Sequence, residues 1–126
     1  MPNENFTLYK RLRSFGFAFN GLKILFREEH NARIHLLAAV VVIIAGFCFH
    51  ISILEWMAVV LAIGLVITME IINSAIENMA DFVSPERHEK IKKIKDLAAA
   101  GVLVSAITAL IIGMIIFVPK ILYICF

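Results

Sequence analysis

The chain lacks most of the features that mark a soluble enzyme. It has no GxxxxGK phosphate loop and no kinase-type glycine-rich loop, so two common nucleotide-binding designs are excluded. Cysteine occurs twice, at Cys48 and Cys125, both in apolar runs. That excludes a disulfide framework, and the pair reads as small apolar-environment residues with no metal role. The four histidines show no paired spacing, which argues against a zinc-type site. There is no internal repeat, low-complexity tract or flexible linker, and 126 residues allow one domain. The opening MPNENFTLYKRLRSF is polar and is not expected to be a cleavable signal. What is abundant is apolar surface. Hydrophobic residues make up 61% of the chain, against roughly 45–50% in a soluble domain, and the mean hydropathy is +0.90.

Three runs are long enough to cross a bilayer core of about 30 Å. They cover about 35–54, about 56–83 and about 97–118, and Pro119 is expected to stop the third. Ahead of them, over about 6–27, Leu8, Leu12, Phe15, Phe19, Leu22 and Phe26 recur at three- and four-residue spacing. Lys10, Arg13, Asn20, Lys23 and Arg27 lie off that stripe. The pattern predicts a basic amphipathic helix in the membrane interface; the other reading packs it against its own bundle. The expected fold is therefore an all-α membrane protein with three transmembrane helices and an N-terminal surface helix.

Lys10, Arg11, Arg13, Lys23, Arg27 and Arg33 precede the first run, and Arg87, Lys90, Lys92, Lys93 and Lys95 separate the second from the third. The turn around His50 to Glu55 has no Lys or Arg. The positive-inside rule then places the N-terminus and the 84–96 loop in the cytoplasm, with Trp56 as an anchor at the opposite interface. Ser84, Pro85 and Glu86 read as an N-cap, a first-turn proline and a first-turn acid, which starts the third helix before the membrane.

MEIINSAIENMADF, residues 69–82, breaks the apolar rule by carrying Glu70, Asn73, Glu77, Asn78 and Asp81. Counted from Trp56, Glu70 lies ~21 Å along a helix and Glu77 ~32 Å, near the inner headgroups. Residues 70, 73, 77 and 81 share a helix face. Glu29, Lys95 and Asp96 flank the membrane on the same side. Intramembrane carboxylates usually mark a substrate or ion path. A ring at one surface suits a reaction between a lipid headgroup and a soluble anion. If the anion is ATP, Mg²⁺ asks for one or two carboxylates plus phosphate oxygens; Glu29 and Glu77 are available, with Lys95 and Lys10 to balance phosphate charge. Glu70, deeper, can act as a base on a lipid alcohol. The structural alternative is interhelical hydrogen bonding, strongest for Asn73 and Ser74.

GLKILFREEHNARIH, MEIINSAIENMAD and KIKDLAAAGVLV occur in order. With them the sequence resembles the small bacterial integral-membrane lipid kinases, diacylglycerol kinase and undecaprenol kinase. The resemblance implies a homotrimer in the bacterial cytoplasmic membrane that uses Mg²⁺ and ATP, with a membrane lipid alcohol as second substrate and no nucleic-acid partner. It implies Glu70 as catalytic base and Glu29 and Glu77 as metal ligands that also meet ATP. Lys95 and Asp96 match the family's nucleotide-binding pair, and Glu86, Arg87 and His88 match the loop that covers the nucleotide. Lys10 matches a basic residue touching ATP and lipid, and Phe17 an aromatic nucleotide neighbour that is often Tyr. On the lipid side the resemblance implies Ser14, Phe15, Gly16, Phe17, Ala18 and Phe19 on the surface helix. It adds Lys23, Ile24, Leu25 and Phe26, then Asn31, Ala32, Arg33, Ile34 and His35, and finally Cys48, Trp56 and Ala99. His35 stands where the diacylglycerol-using branch has an acidic residue, and SILEWM, KDLAAAG and IIGMIIFVPK resemble the undecaprenol branch. Undecaprenol is therefore the favoured substrate and diacylglycerol the alternative. A rival class is a small oligomeric transporter using Glu70 as a proton site; it calls for a midplane carboxylate without the surface ring. A purely structural adaptor gives no reason to hold Glu70 inside the bilayer.

Overall fold

The computed structural model describes residues 7–126. Among these the backbone forms four α-helices and no strand: α1 (Leu8–Glu28), α2 (His30–Cys48), α3 (Ile53–Val83) and α4 (Glu89–Cys125). The last three are each long and apolar enough to cross a membrane. The protein is an all-α, multi-pass membrane protein. With 31 and 37 residues, α3 and α4 extend about 46 and 55 Å, well past a ~30 Å hydrocarbon core.

The expected start of the surface helix at Phe6 lies outside the described residues. Leu8, Leu12, Phe15 and Phe19 are all exposed on α1, and Leu25, 2% exposed, fixes its C-terminal end in the bundle. Glu29 ends α1 in an extended conformation, φ −102° and ψ 111°. Arg33 folds back across this corner: its Nε donates to Phe26 O at 2.7 Å and its Nη2 donates to Arg27 O. The guanidinium thus satisfies carbonyls that a helix end leaves open, at the negative end of the helix dipole.

The first span starts and ends earlier than expected: α2 begins at His30 and stops at Cys48, and Ile53 and Leu54 belong to α3. Two features make the break. His50 turns the chain through a left-handed conformation, φ 51°. Ser52 then starts α3 with a reciprocal cap: Glu55 N–H donates to Ser52 Oγ at 3.2 Å and Ser52 N–H to Glu55 Oε1 at 3.0 Å. Beneath the turn, Trp56 lies against Phe47 with ring centroids 4.9 Å apart. A small core of Ile51, Val59 and Ile116 packs there with Trp56, Phe49 and Phe117. Gly46 makes room for the indole, since a Cβ at that position would stand 2.6 Å from the Trp56 ring. Gly46→Ala is expected to destabilise the fold by about 1–3 kcal/mol, the usual range for overpacking, read as a lower unfolding midpoint in detergent.

Two further expectations change. Pro119 does not stop the last helix; α4 runs through it to Cys125. Proline removes one backbone bond, and the turn beyond it is held by Lys120 Nζ, 3.0 Å from Glu55 Oε2. Membrane helices tolerate such prolines because unpaired backbone is worse than a local adjustment. Ser84 does not cap the third span either. It closes α3, at φ −141° and ψ 86°, and its hydroxyl donates to Glu86 O at 3.1 Å. Proline at 85 disfavours helical dihedrals for the residue before it, so the cap passes to His88, whose Nδ1 accepts from Lys90 N–H at 3.1 Å. α4 still begins well before Leu97.

Candidate active site

The buried residues of α3 include Val59, Ala62, Val66, Glu70 and Ser74. Their spacing of three and four makes one stripe on the face packed against the other helices. Glu70 sits in this stripe at 2% exposure. His35 of α2 is its neighbour, with Nε2 3.2 Å from Glu70 Oε1. That contact has ion-pair distance but not hydrogen-bond geometry, so Oε1 is left without a donor, as is the buried Oδ1 of Asn73. A buried acceptor without a partner costs about 1–3 kcal/mol. Two of them three residues apart on one helix leave acceptors open for a hydroxyl or amide from outside the chain.

Glu29 reaches this region from the α1–α2 corner. Its Oε1 accepts from Ser74 Oγ at 3.2 Å. Asn78 Nδ2 in turn donates to Ser74 O at 2.8 Å, so α3 orients the corner carboxylate. Ser74, for which hydrogen bonding between helices was the alternative reading, does bond across to the α1–α2 corner. Glu29 and Glu77 both lie close enough for their charges to act on Glu70, and Glu77 also acts on Lys95. Lys95 Nζ pairs with Asp81 of α3, and Lys92 Nζ lies 2.8 Å from Asp96 Oδ2. The acids of α3, the corner acid and the N-terminal cations of α4 therefore form one polar end of the bundle.

The remaining expected residues are more scattered. Lys10, Ser14, Phe15, Gly16, Phe17, Ala18 and Phe19 are exposed on α1, and among the described residues Lys10 has no ion pair with a carboxylate. Arg13 Cζ lies 5.6 Å from the Phe17 ring centroid. Lys23, Ile24, Asn31 and Ile34 are exposed and Phe26 is partly covered, whereas Leu25 and Ala32 are buried in helix packing. Arg33 is engaged as the corner clamp. Glu86, Arg87 and His88 lie exposed between α3 and α4, and Ala99 is exposed on α4. Cys48 and Trp56 lie at the other end of the bundle; from Trp56 to Glu70 is ~21 Å along α3. Both cysteines are free and exposed.

Sequence reasoning missed the His35–Glu70 contact, the Ser74–Glu29 bond, the Asp81–Lys95 pair and the Arg33 clamp. Ser74 follows Glu70 by one helical turn, which was a usable signal; the others depend on how helices cross. Among the described residues no three His, Cys, Asp or Glu side chains cluster to hold an ion. Glu29 and Glu77 offer two carboxylates and leave other positions to phosphate oxygens and water, which is the pattern Mg²⁺ accepts.

The family described as prokaryotic diacylglycerol kinase matches residues 16–117. An undecaprenol kinase of Bacillus subtilis (strain 168) is 40% identical over 113 residues, 90% of this chain and 92% of that one. A diacylglycerol kinase of Synechocystis sp. is 36% identical over 88% of this chain and 64% of its own length. A diacylglycerol kinase of Escherichia coli (strain K12) is 26% identical over 88% and 91%.

Proposed function

Because this chain belongs to the prokaryotic diacylglycerol kinase family and is a lipid kinase, we propose that it transfers the γ-phosphoryl group of ATP to undecaprenol. The observation that carries the reading is Glu70: a carboxylate at 2% exposure with one oxygen unbonded, beside surface acids that suit a magnesium ion. Glu70 takes the proton from the lipid hydroxyl, whose oxygen attacks the γ-phosphorus as ADP leaves. Phosphoryl transfer needs little covalent help from the protein beyond position and charge. Glu29, oriented by Ser74, and Glu77 would hold Mg²⁺, which when bound would neutralise phosphate charge. Lys95 exchanges Asp81 for a phosphate oxygen. Lys10, Phe17, Asp96 and the 86–88 segment complete the nucleotide site.

Undecaprenol is favoured over diacylglycerol by the 40% identity to the Bacillus undecaprenol kinase over 90% of the chain. The working unit we propose is a homotrimer in the bacterial cytoplasmic membrane, with the N-terminus and the 84–88 segment on the cytoplasmic side. Exposed apolar residues along α2, α3 and α4 leave ample surface for partner protomers and lipid. The test offers undecaprenol and diacylglycerol separately to purified protein with Mg-ATP in mixed micelles. Undecaprenol should give the larger kcat/KM. A preference for diacylglycerol would overturn the substrate, and phosphorylation of neither would overturn the reaction.

A further inference from the structure

We infer that His35 resets Glu70 in each catalytic cycle, accepting the proton that Glu70 has taken from the lipid and releasing it to water. The inference rests on the reading of Glu70 as the base. A base at 2% exposure has little water of its own to discharge into, and a carboxylate that keeps its proton is spent after one turnover. Among the described residues His35 is the titratable side chain in contact with Glu70. Its Nε2 stands 3.2 Å from Oε1 while a quarter of its side chain is left uncovered by the chain, 25% exposed. Imidazole has one ring nitrogen that accepts a proton and one that gives it up, the chemistry of a proton shuttle.

Two of the α4 cations are engaged with other carboxylates, Lys95 with Asp81 and Lys92 with Asp96. Arg33 of α2 is held on the carbonyls of α1. The steps balance. The lipid O–H proton moves to Glu70, the oxygen bonds to the γ-phosphorus, and the bond from phosphorus to ADP breaks with its electron pair leaving on ADP. The proton on Glu70 then passes to His35 Nε2, and His35 gives a proton to water. The present angle between Nε2 and Oε1 is poor; catalytic contacts often align only when substrate binds. Among the described residues His35 is also the sole polar side chain lining an apolar cavity of about 460 Å³ between α2, α3 and α4. Shortening it extends that space towards Glu70.

The experiment uses the full chain in mixed micelles with Mg-ATP and its lipid substrate, each variant compared at equal folded fraction by thermal unfolding. His35→Gln should lower kcat about 10- to 10²-fold, less than loss of the base itself, with the KM for ATP unchanged and a larger solvent deuterium effect than wild type. His35→Ala should regain rate with added imidazole in a saturable way, and the regained rate should follow the neutral fraction of imidazole as pH changes. His35→Arg, a fixed cation that has no neutral form to accept a proton, should be as slow as His35→Gln. Wild-type kcat in His35→Gln, full rate in His35→Arg, or folded His35→Ala that imidazole does not rescue would each overturn the relay. These results are separable from failure of the underlying reading, which would appear as full activity in Glu70→Gln.

Discussion

Glu70→Gln is expected to lower kcat about 10²–10⁴-fold, the range for losing a positioned general base, while nucleotide affinity changes little. Glutamine keeps the volume and one carbonyl acceptor, so the packed stripe of Val66, Glu70 and Ser74 stays intact. What it loses is the ability to take a proton. If Glu70 served only to join helices, glutamine would still hydrogen-bond across the bundle and turnover would stay near normal. Turnover and nucleotide affinity must be measured on the same purified sample, because only their divergence identifies a base. Near wild-type turnover would remove Glu70 from the chemistry.

Glu29→Gln and Glu77→Gln should fail in the opposite way. Each removes an anionic oxygen from a hard cation, so Mg-ATP binding should weaken before any effect on the proton is felt. The size can be bracketed from Ser74, whose hydroxyl holds Glu29 at 3.2 Å. Loss of such an outer partner typically costs 10–100-fold in metal affinity or activity, so Ser74→Ala belongs in that range. Loss of Glu29 itself should reach at least ~10²-fold in kcat/KM for Mg-ATP. Raising Mg²⁺ should recover part of the rate in Ser74→Ala and little in Glu29→Gln. Isothermal titration showing unchanged Mg-ATP binding in both carboxylate variants would reassign the metal site.

The spans were legible because a long apolar run has few fates, and the hydropathy of α2, α3 and α4 places them without tertiary information. Their ends were less so. The α2–α3 break was present as Ser52 followed by Glu55, a capping-box pattern, but the apolar ISIL around it masked the signal. Pro119 was read by its soluble-protein behaviour, whereas the Lys120–Glu55 bridge holds the turn that follows it. Ser84 has the chemistry of a cap, but Pro85 decides which helix it serves. In the candidate site, Glu70, Glu77 and Glu29 stood out by being charged where charge is rare. Their partners did not. His35 lies 35 positions from Glu70 and Ser74 lies 45 from Glu29 in the sequence, and only the angle at which α2 crosses α3 joins them. Arg33 reads as one more basic residue until the chain doubles back at Glu29.

The uninterrupted course of α3 from Ile53 to Val83 makes the lipid bilayer a gauge for the chemistry. In the orientation proposed, Trp56 marks one water boundary and Glu70 rides on the same rigid rod ~21 Å away. The height of the base relative to the opposite headgroups then depends on membrane thickness. Thinner bilayers bring those headgroups down towards Glu70 or tilt the rod, and thicker ones draw them away, each with a modest mismatch energy. Lipid chain length in the host membrane thereby becomes a setting of the enzyme, acting through depth without touching any residue of the site.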